Sequence, residues 1–111
     1  MSRRIRRSAA GLALATTLLV CAAANAAPAR TVTLKDIAFS PRSLTVAKGT
    51  RVTFAFRDDT TVHNVTSTGT RRFARISSRS SGSASRTFAR AGTYRYECTL
   101  HPGMTGRIVV R

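Results

Sequence analysis

Short segments in which polar and apolar residues alternate restrict this chain to a narrow group of folds. In residues 51–57, Val52, Phe54 and Phe56 occupy every second position. This period of two places the three side chains on one face of a β-strand. Similar segments stand at 31–34, 44–46, 62–66, 86–88, 93–98 and 107–111. Turn residues such as Gly49 separate them, and no segment has a helical period. About seven to eight short strands predict an all-β protein, either a sandwich or a barrel.

The first 26 residues have the organisation of an export signal. Four arginines precede an uncharged, mostly apolar stretch at 11–24, and the small-residue sequence A-N-A at 24–26 follows as a cleavage site. This stretch of 14 residues is short for a membrane span, which needs about 20. We therefore predict a signal peptide at 1–26 and an exported domain at 27–111, with no transmembrane segment in the mature chain. An uncleaved anchor and, through Cys21, a lipoprotein are the alternatives.

The exported domain is strongly basic. Without the leader arginines it has 15 Lys and Arg residues against four Asp and Glu, a formal charge of +11. Such a charge can attract nucleic acid, anionic surfaces or acidic proteins. Specific nucleic-acid binding is not expected, because the charges alternate along strands and no aromatic-interleaved basic motif is present. An acidic surface on a partner protein or an anionic cell-envelope surface fits better, and a basic surface without a dedicated partner is the remaining alternative.

Cys98 is the only cysteine of residues 27–111, so the exported domain cannot form an internal disulfide. A free thiol in an oxidising compartment needs burial, a partner or a ligand. Cys98 could pack as a small apolar residue, or act as a nucleophile with His63 or His101. A domain of 85 residues buries limited surface. A metal that only the folded state binds would add stability.

Cys98 opens the sequence C-T-L-H-P-G-M, in which Cys98, His101 and Met104 provide a thiol, an imidazole and a thioether within seven residues. The motif lies between two predicted strands, where a loop can wrap the three side chains around one point. His63, 35 residues before Cys98, is the only other histidine. Two imidazoles, a thiolate and a weak thioether suit a mononuclear copper centre of the electron-transfer type. A structural zinc site usually has four strong Cys or His ligands, and only three exist here.

The chain resembles the cupredoxins, in particular the small plastocyanin, pseudoazurin and amicyanin group. The resemblance covers nearly all of residues 31–111. It rests on the apolar pattern from Phe39 to Phe54, on the sequence H-N-V at 63–65, and on the pattern from Phe88 to Ile108 that contains C-x-x-H-x-x-M. This spacing of cysteine, histidine and methionine is the short ligand loop of amicyanin-like members.

The resemblance implies a Greek-key β-sandwich that holds one type 1 copper ion at one end, cycling between Cu(I) and Cu(II). By position, His63, Cys98 and His101 correspond to the equatorial ligands and Met104 to the long axial ligand. Asn64 corresponds to the residue that ties the two ligand segments together by hydrogen bonds.

Family members exchange electrons through the exposed edge of the histidine in the ligand loop. That edge corresponds here to His101, with Leu100, Pro102 and Gly103 as its apolar rim. The implied function is a one-electron carrier, not an enzyme, that is exported to the periplasm or cell envelope and works as a monomer with redox protein partners. A copper-handling protein that stores or delivers the ion, or protects against it, is the alternative. The serine- and arginine-rich segment at 67–86 and the sequence R-D-D at 57–59 depart from the family pattern. Within 67–86 the sequence predicts a loop with one poor strand near 72–76.

Overall fold

Residues 27–111, the part of the chain that the computed structural model describes, form nine β-strands. In chain order these are β1 (Ala29–Lys35), β2 (Ala38–Ser40), β3 (Ser43–Val46), β4 (Thr50–Phe56), β5 (His63–Thr68), β6 (Ile76–Arg79), β7 (Ser83–Phe88), β8 (Gly92–Glu97) and β9 (Thr105–Val110). This range contains no helix, and hence none that could cross a membrane. The predicted signal peptide, including Cys21, lies outside the described residues.

The strands form two sheets that enclose one core. The four-stranded sheet has the order β2-β1-β4-β7, and the five-stranded sheet has the order β3-β9-β8-β5-β6. β1 pairs with β4 and β3 with β9 in parallel, and the remaining pairs are antiparallel. The predicted all-β Greek-key sandwich is confirmed.

The alternating segments become strands because each of them buries one face between the sheets. On β4, Val52, Phe54 and Phe56 are at most 1% exposed, as the period of two predicts. On β8, Tyr94 and Tyr96 are buried in the same way, and the buried side chains of both sheets form one continuous cluster. Burial of such a side chain is worth about 2 kcal/mol. The core is therefore the main stabilising element of a domain without a disulfide in its described residues.

The structure has nine strands, not the predicted seven to eight, because two short strands carry little sequence signal. β2 has three residues, of which only Phe39 is buried. β6 begins at Ile76, so the poor strand expected at 72–76 is wrong. There the Ser67 hydroxyl accepts a hydrogen bond from the Phe73 N–H (2.9 Å) and donates one to the Phe73 carbonyl (3.2 Å). These bonds occupy backbone groups that a strand would have paired with a neighbouring strand.

Tyr96 lies at the centre of the core with its hydroxyl unpaired. Its ring meets Phe39 and Phe54 edge to face, with centroid distances of 4.8 Å and 5.5 Å. The ring also covers Gly106, where an added Cβ would come within 2.5 Å of a ring carbon, so only glycine allows this approach. Among the described residues the hydroxyl has no hydrogen-bond partner, and burial raises the pKa of Tyr96. A buried hydroxyl without a partner lowers the stability of the folded state.

We expect Tyr96→Phe to raise the free energy of unfolding by about 1 kcal/mol, because it removes this unpaired group and keeps the ring. Urea denaturation of the metal-free protein measures the change. Tyr94→Phe is the matched control, because the Tyr94 hydroxyl donates a 2.8 Å hydrogen bond to the Arg90 carbonyl. The control should lose about 1 kcal/mol. Equal losses in the two variants would show that the Tyr96 hydroxyl has a partner after all.

Candidate metal centre

Strand pairing brings the two halves of the predicted site together. β5 runs antiparallel to β8, with Thr66 opposite Glu97. The start of β5 therefore lies beside the residue that follows β8. Those positions are His63, the first residue of β5, and Cys98, the residue after β8. Two residues that are 35 positions apart in the chain thus meet at one end of the five-stranded sheet.

The segment from Cys98 to Met104 is a closed loop between β8 and β9. The Cys98 N–H donates to the Met104 carbonyl (3.0 Å), and the Met104 N–H donates to the His101 carbonyl (3.1 Å). Gly103 has a φ of +84°, a value that favours glycine and lets the chain turn back towards β9. The loop buries Cys98 and Met104, each 2% exposed, and leaves His101 half-buried.

Three metal-binding side chains converge at this end of the sandwich. The ligand atoms of His63, Cys98 and His101 all lie within 4.8 Å of one another. The His63 Nδ1 is 4.0 Å from the Cys98 Sγ, and the two imidazole centroids are 4.9 Å apart. His63 is fully buried. Met104, the fourth predicted ligand, is buried at the end of the same loop and is hydrogen-bonded to Cys98 through the backbone.

Both histidines use Nε2 for a hydrogen bond, which leaves Nδ1 for a metal. The His63 Nε2 lies 2.9 Å from the Asp58 Oδ2, and the His101 Nε2 lies 3.0 Å from the Val62 carbonyl oxygen. Carboxylate and carbonyl oxygens only accept hydrogen bonds, so each ring carries a proton on Nε2. In the neutral imidazole the Nδ1 lone pair is then available as a ligand. The two tautomers are therefore set for metal binding by the surrounding protein.

Asp58 is the carboxylate that supports His63. Their hydrogen bond holds the pKa of the Asp58 carboxyl below its usual value of 3.8; burial acts against this effect, and the backbone groups of Ile37 and Asp36 reinforce it. Because the pKa is lowered in the folded state, the resulting stabilisation is present above the usual carboxyl pKa and is lost as the pH falls below it.

Asn64 connects β5 to the ligand loop. Its Nδ2 donates to the Thr99 Oγ1 (2.8 Å), and its Oδ1 accepts from the Thr99 N–H (3.1 Å) and from the Thr66 hydroxyl (2.8 Å). Its own backbone N–H points to the Cys98 Sγ at 3.5 Å. Asn64 is fully buried, so both ends of its amide have protein partners in place of water. One side chain thus links the segment with His63 to the segment with Cys98.

The residues predicted as the exposed edge of the site flank His101 in the chain. Leu100 is 50% exposed, and Pro102 and Gly103 are also exposed. Val62, whose carbonyl accepts the His101 hydrogen bond, is 44% exposed and adds an apolar side chain that was not predicted. Asp58 was not predicted as a site residue either. Its only sequence signal is an acidic pair four and five residues before His63.

The chemistry of the donors fits copper better than zinc. A thiol and two imidazoles provide three strong ligands, and the nearby thioether is a weak one. A structural zinc site would usually require a fourth strong ligand, and the described residues bring no further cysteine or histidine to this cluster. Burial of the sulfur and of one imidazole also keeps water away from the ligands.

Comparison with known families agrees with this geometry. A family model described as a cupredoxin-like domain matches residues 8–110. The chain belongs to the cupredoxin family. No curated protein sequence matches this cupredoxin.

Solved structures of similar proteins include several of amicyanin. The reduced state of a proline-to-phenylalanine variant of amicyanin is 30% identical, with a TM-score of 0.64 over 75% of this chain and 82% of that chain. The reduced Cu(I) form of a proline-to-glycine variant is 32% identical, with a TM-score of 0.66 and the same coverage. A purple cupredoxin from Nitrosopumilus maritimus is 22% identical, with a TM-score of 0.66 over 74% of this chain and 99% of that chain, and shares the fold.

We expect Asn64→Ala to lower the free energy of unfolding of the metal-free cupredoxin by about 3 kcal/mol. The substitution removes three short hydrogen bonds at a buried position, each worth about 1 kcal/mol. Urea denaturation measures the loss. Ser78→Ala is the control, because Ser78 makes only a 3.4 Å contact with Asn64 and should change stability by less than about 0.5 kcal/mol. Equal values for the two variants would mean that Asn64 does not hold the segments together.

Asp58→Asn should weaken copper binding about tenfold, since the carboxylate orients His63 and makes its imidazole a better ligand. Asp59→Asn is a matched control, with the same change of charge at the next residue, which makes no hydrogen bond with His63. Titration against a coloured copper chelator gives both affinities. If the two variants lose the same amount, the effect is one of overall charge and not of the contact with His63.

Proposed function

We propose that this cupredoxin is an exported type 1 (blue) copper protein that carries one electron at a time between redox partners. The observation that supports this proposal is the convergence of His63, Cys98 and His101 at one buried point. These three residues would hold one copper ion as equatorial ligands, with Met104 as the weak axial ligand. Copper bound there would supply a centre that alternates between Cu(I) and Cu(II).

A carrier must change its charge with little rearrangement of its ligands. Here each histidine is held at Nε2, and Asn64 joins the two ligand segments through Thr99. These contacts join protein groups to one another, so they restrict the positions of the ligand side chains. The solved amicyanin structures include reduced and oxidised states, which is the behaviour we propose for this chain.

The surface around His101 is suited to brief contact with another protein. The large hydrophobic residues that are exposed in the described range are Ile37 (51%), Val62 (44%) and Leu100 (50%). Val62 and Leu100 adjoin His101, and Ile37 lies beside Asp58, the partner of His63. Exposed apolar residues concentrated at one place mark an interaction site. We therefore assign electron exchange to the His101 edge, with Leu100, Pro102 and Gly103 as its rim.

Electron transfer is favoured over copper delivery because residues 27–111 contain no histidine, cysteine or methionine outside the proposed site. Residues 27–111 contain two histidines, one cysteine and one methionine, and all four are assigned to one site. A protein that hands on the ion would need further ligands along its route. The leader sequence at 1–26 supports export to the periplasm or cell envelope, where we propose that the protein works as a monomer and not as an enzyme.

Addition of one equivalent of Cu(II) to residues 27–111 should produce an intense blue band and a narrow copper hyperfine splitting, which ascorbate should bleach reversibly. Absorption and electron paramagnetic resonance spectra measure both. The band arises from the bond between copper and a thiolate, so Cys98→Ala should abolish it.

His101→Ala should disturb both the metal and electron exchange. Met104→Leu should keep the blue band and raise the reduction potential, because the axial donor is lost.

A colourless product with an ordinary Cu(II) resonance would contradict the proposal, because the Cys98 thiolate would not be a ligand. The better hypothesis would then be that the protein handles copper or binds another metal. An unchanged reduction potential in Met104→Leu would show that Met104 is not the axial ligand, while the copper site itself would stand.

A further inference from the structure

A groove lined by three arginines crosses the outer face of the five-stranded sheet. We call it the arginine groove, after Arg42, Arg95 and Arg107, which are all exposed. The hydroxyl residues Ser43, Thr68 and Thr105 complete its polar lining. Its volume is about 460 Å³. This is room for several carboxylate side chains rather than for one small ion.

Two of the arginines are held in place by hydroxyl groups. The Arg42 Nη2 donates to the Thr105 Oγ1, and the Arg107 Nε donates to the Ser43 Oγ, both at 2.9 Å. The backbones of Arg42 and Arg107 are also joined by a 2.9 Å hydrogen bond. A guanidinium has five N–H donors, and these contacts use one on each. Arginines ordered in this way, with donors to spare, bind carboxylates at a reduced cost in side-chain entropy.

Within the described residues, no acidic side chain forms an ion pair with the arginines of the groove. Arg95 stands directly opposite Arg107 in the ladder of β8 and β9, and like charges in such pairs repel each other. The ion pair found in residues 27–111 is that of His63 with Asp58. Glu97, the nearest acidic residue along β8, forms no ion pair with these arginines. An anionic ligand would relieve this repulsion.

The arginine groove adjoins the metal centre. Thr105, which binds Arg42, directly follows the proposed ligand Met104. Arg95 lies three residues before Cys98 on β8. A molecule seated in the groove would therefore lie next to the loop that carries His101.

We propose that the arginine groove docks an acidic segment, rich in Asp and Glu side chains, of the protein with which this cupredoxin exchanges electrons; the role of that partner rests on the proposed function. A concave site suits projecting carboxylate side chains, which can enter it and pair with the arginine forks. A bilayer surface is flat and would contact the basic residues of the domain without entering the groove. Docking here places the partner beside the metal centre and accelerates the encounter through opposite charge.

The test is a titration with an N-acetylated hexaglutamate peptide, followed by the backbone amide resonances of the metal-free and the Cu(I)-loaded protein. At an ionic strength of about 0.15 M, shifts should concentrate on the residues of the arginine groove. Arg95→Gln combined with Arg107→Gln should weaken binding about tenfold. Arg42→Gln is a second variant, which should weaken it less. The matched control combines Arg51→Gln with Arg90→Gln, two exposed arginines outside the groove, and should weaken binding by less than about twofold.

Equal loss in the groove variant and the control would overturn the proposal, because binding would then follow net charge alone. Inorganic phosphate that binds the groove as tightly as hexaglutamate would overturn it in favour of a small-anion site. Vesicles of phosphatidylglycerol and phosphatidylcholine that bind the protein while hexaglutamate does not would overturn it in favour of a membrane surface. The peptide is tested with and without metal. The absence of a blue copper band would therefore contradict the proposed function, whereas the absence of hexaglutamate binding would contradict only the docking proposal.

Discussion

Asn64 holds the end of β8 against the start of β5, and the metal centre depends on that contact. The antiparallel ladder between the two strands brings His63 and Cys98 to the same end of the sheet. A ladder leaves its ends free to separate, and the hydrogen bonds between Asn64 and Thr99 close this one. Because the contact is buried and joins protein groups directly, it fixes the two ligand segments relative to each other. A small domain without a disulfide in its described residues can thus keep a defined site at one end.

Charge is distributed unevenly over the domain. The four acidic residues lie towards the end of the sandwich that carries the site: Asp36 and Asp58 interact, Asp59 follows Asp58, and Glu97 precedes Cys98. Arginines lie on the sheet faces, as in the arginine groove, and also at the site end, where Arg57 precedes Asp58 and Arg79 is opposite His63. The same end exposes the apolar residues Val62 and Leu100. An apolar contact surface thus adjoins a basic sheet face, so a partner could be oriented by charge and make its close contact through apolar side chains.

Sequence patterns predicted most strands because their cause is local. A strand that buries one face needs an apolar residue at every second position, and β4 follows that rule from Val52 to Phe56. The rule failed at 72–76, where the Ser67 side chain on β5 binds the backbone of Phe73, and at β2, which is too short to show a period. The role of Asp58 was missed for a similar reason: a carboxylate in a loop has no pattern until the fold places it 2.9 Å from a histidine.

The amino-acid sequence was sufficient for the sandwich, for the donor set and for the resemblance to cupredoxins. Strand alternation and the order of His63, Cys98, His101 and Met104 are properties of the chain itself. The tertiary structure decided which nitrogen of each histidine is free, which side chain joins the ligand segments, and that Arg42, Arg95 and Arg107 share one groove. These three features depend on distances between residues that are far apart in the chain. Such distances are set only when the two sheets have formed and packed together.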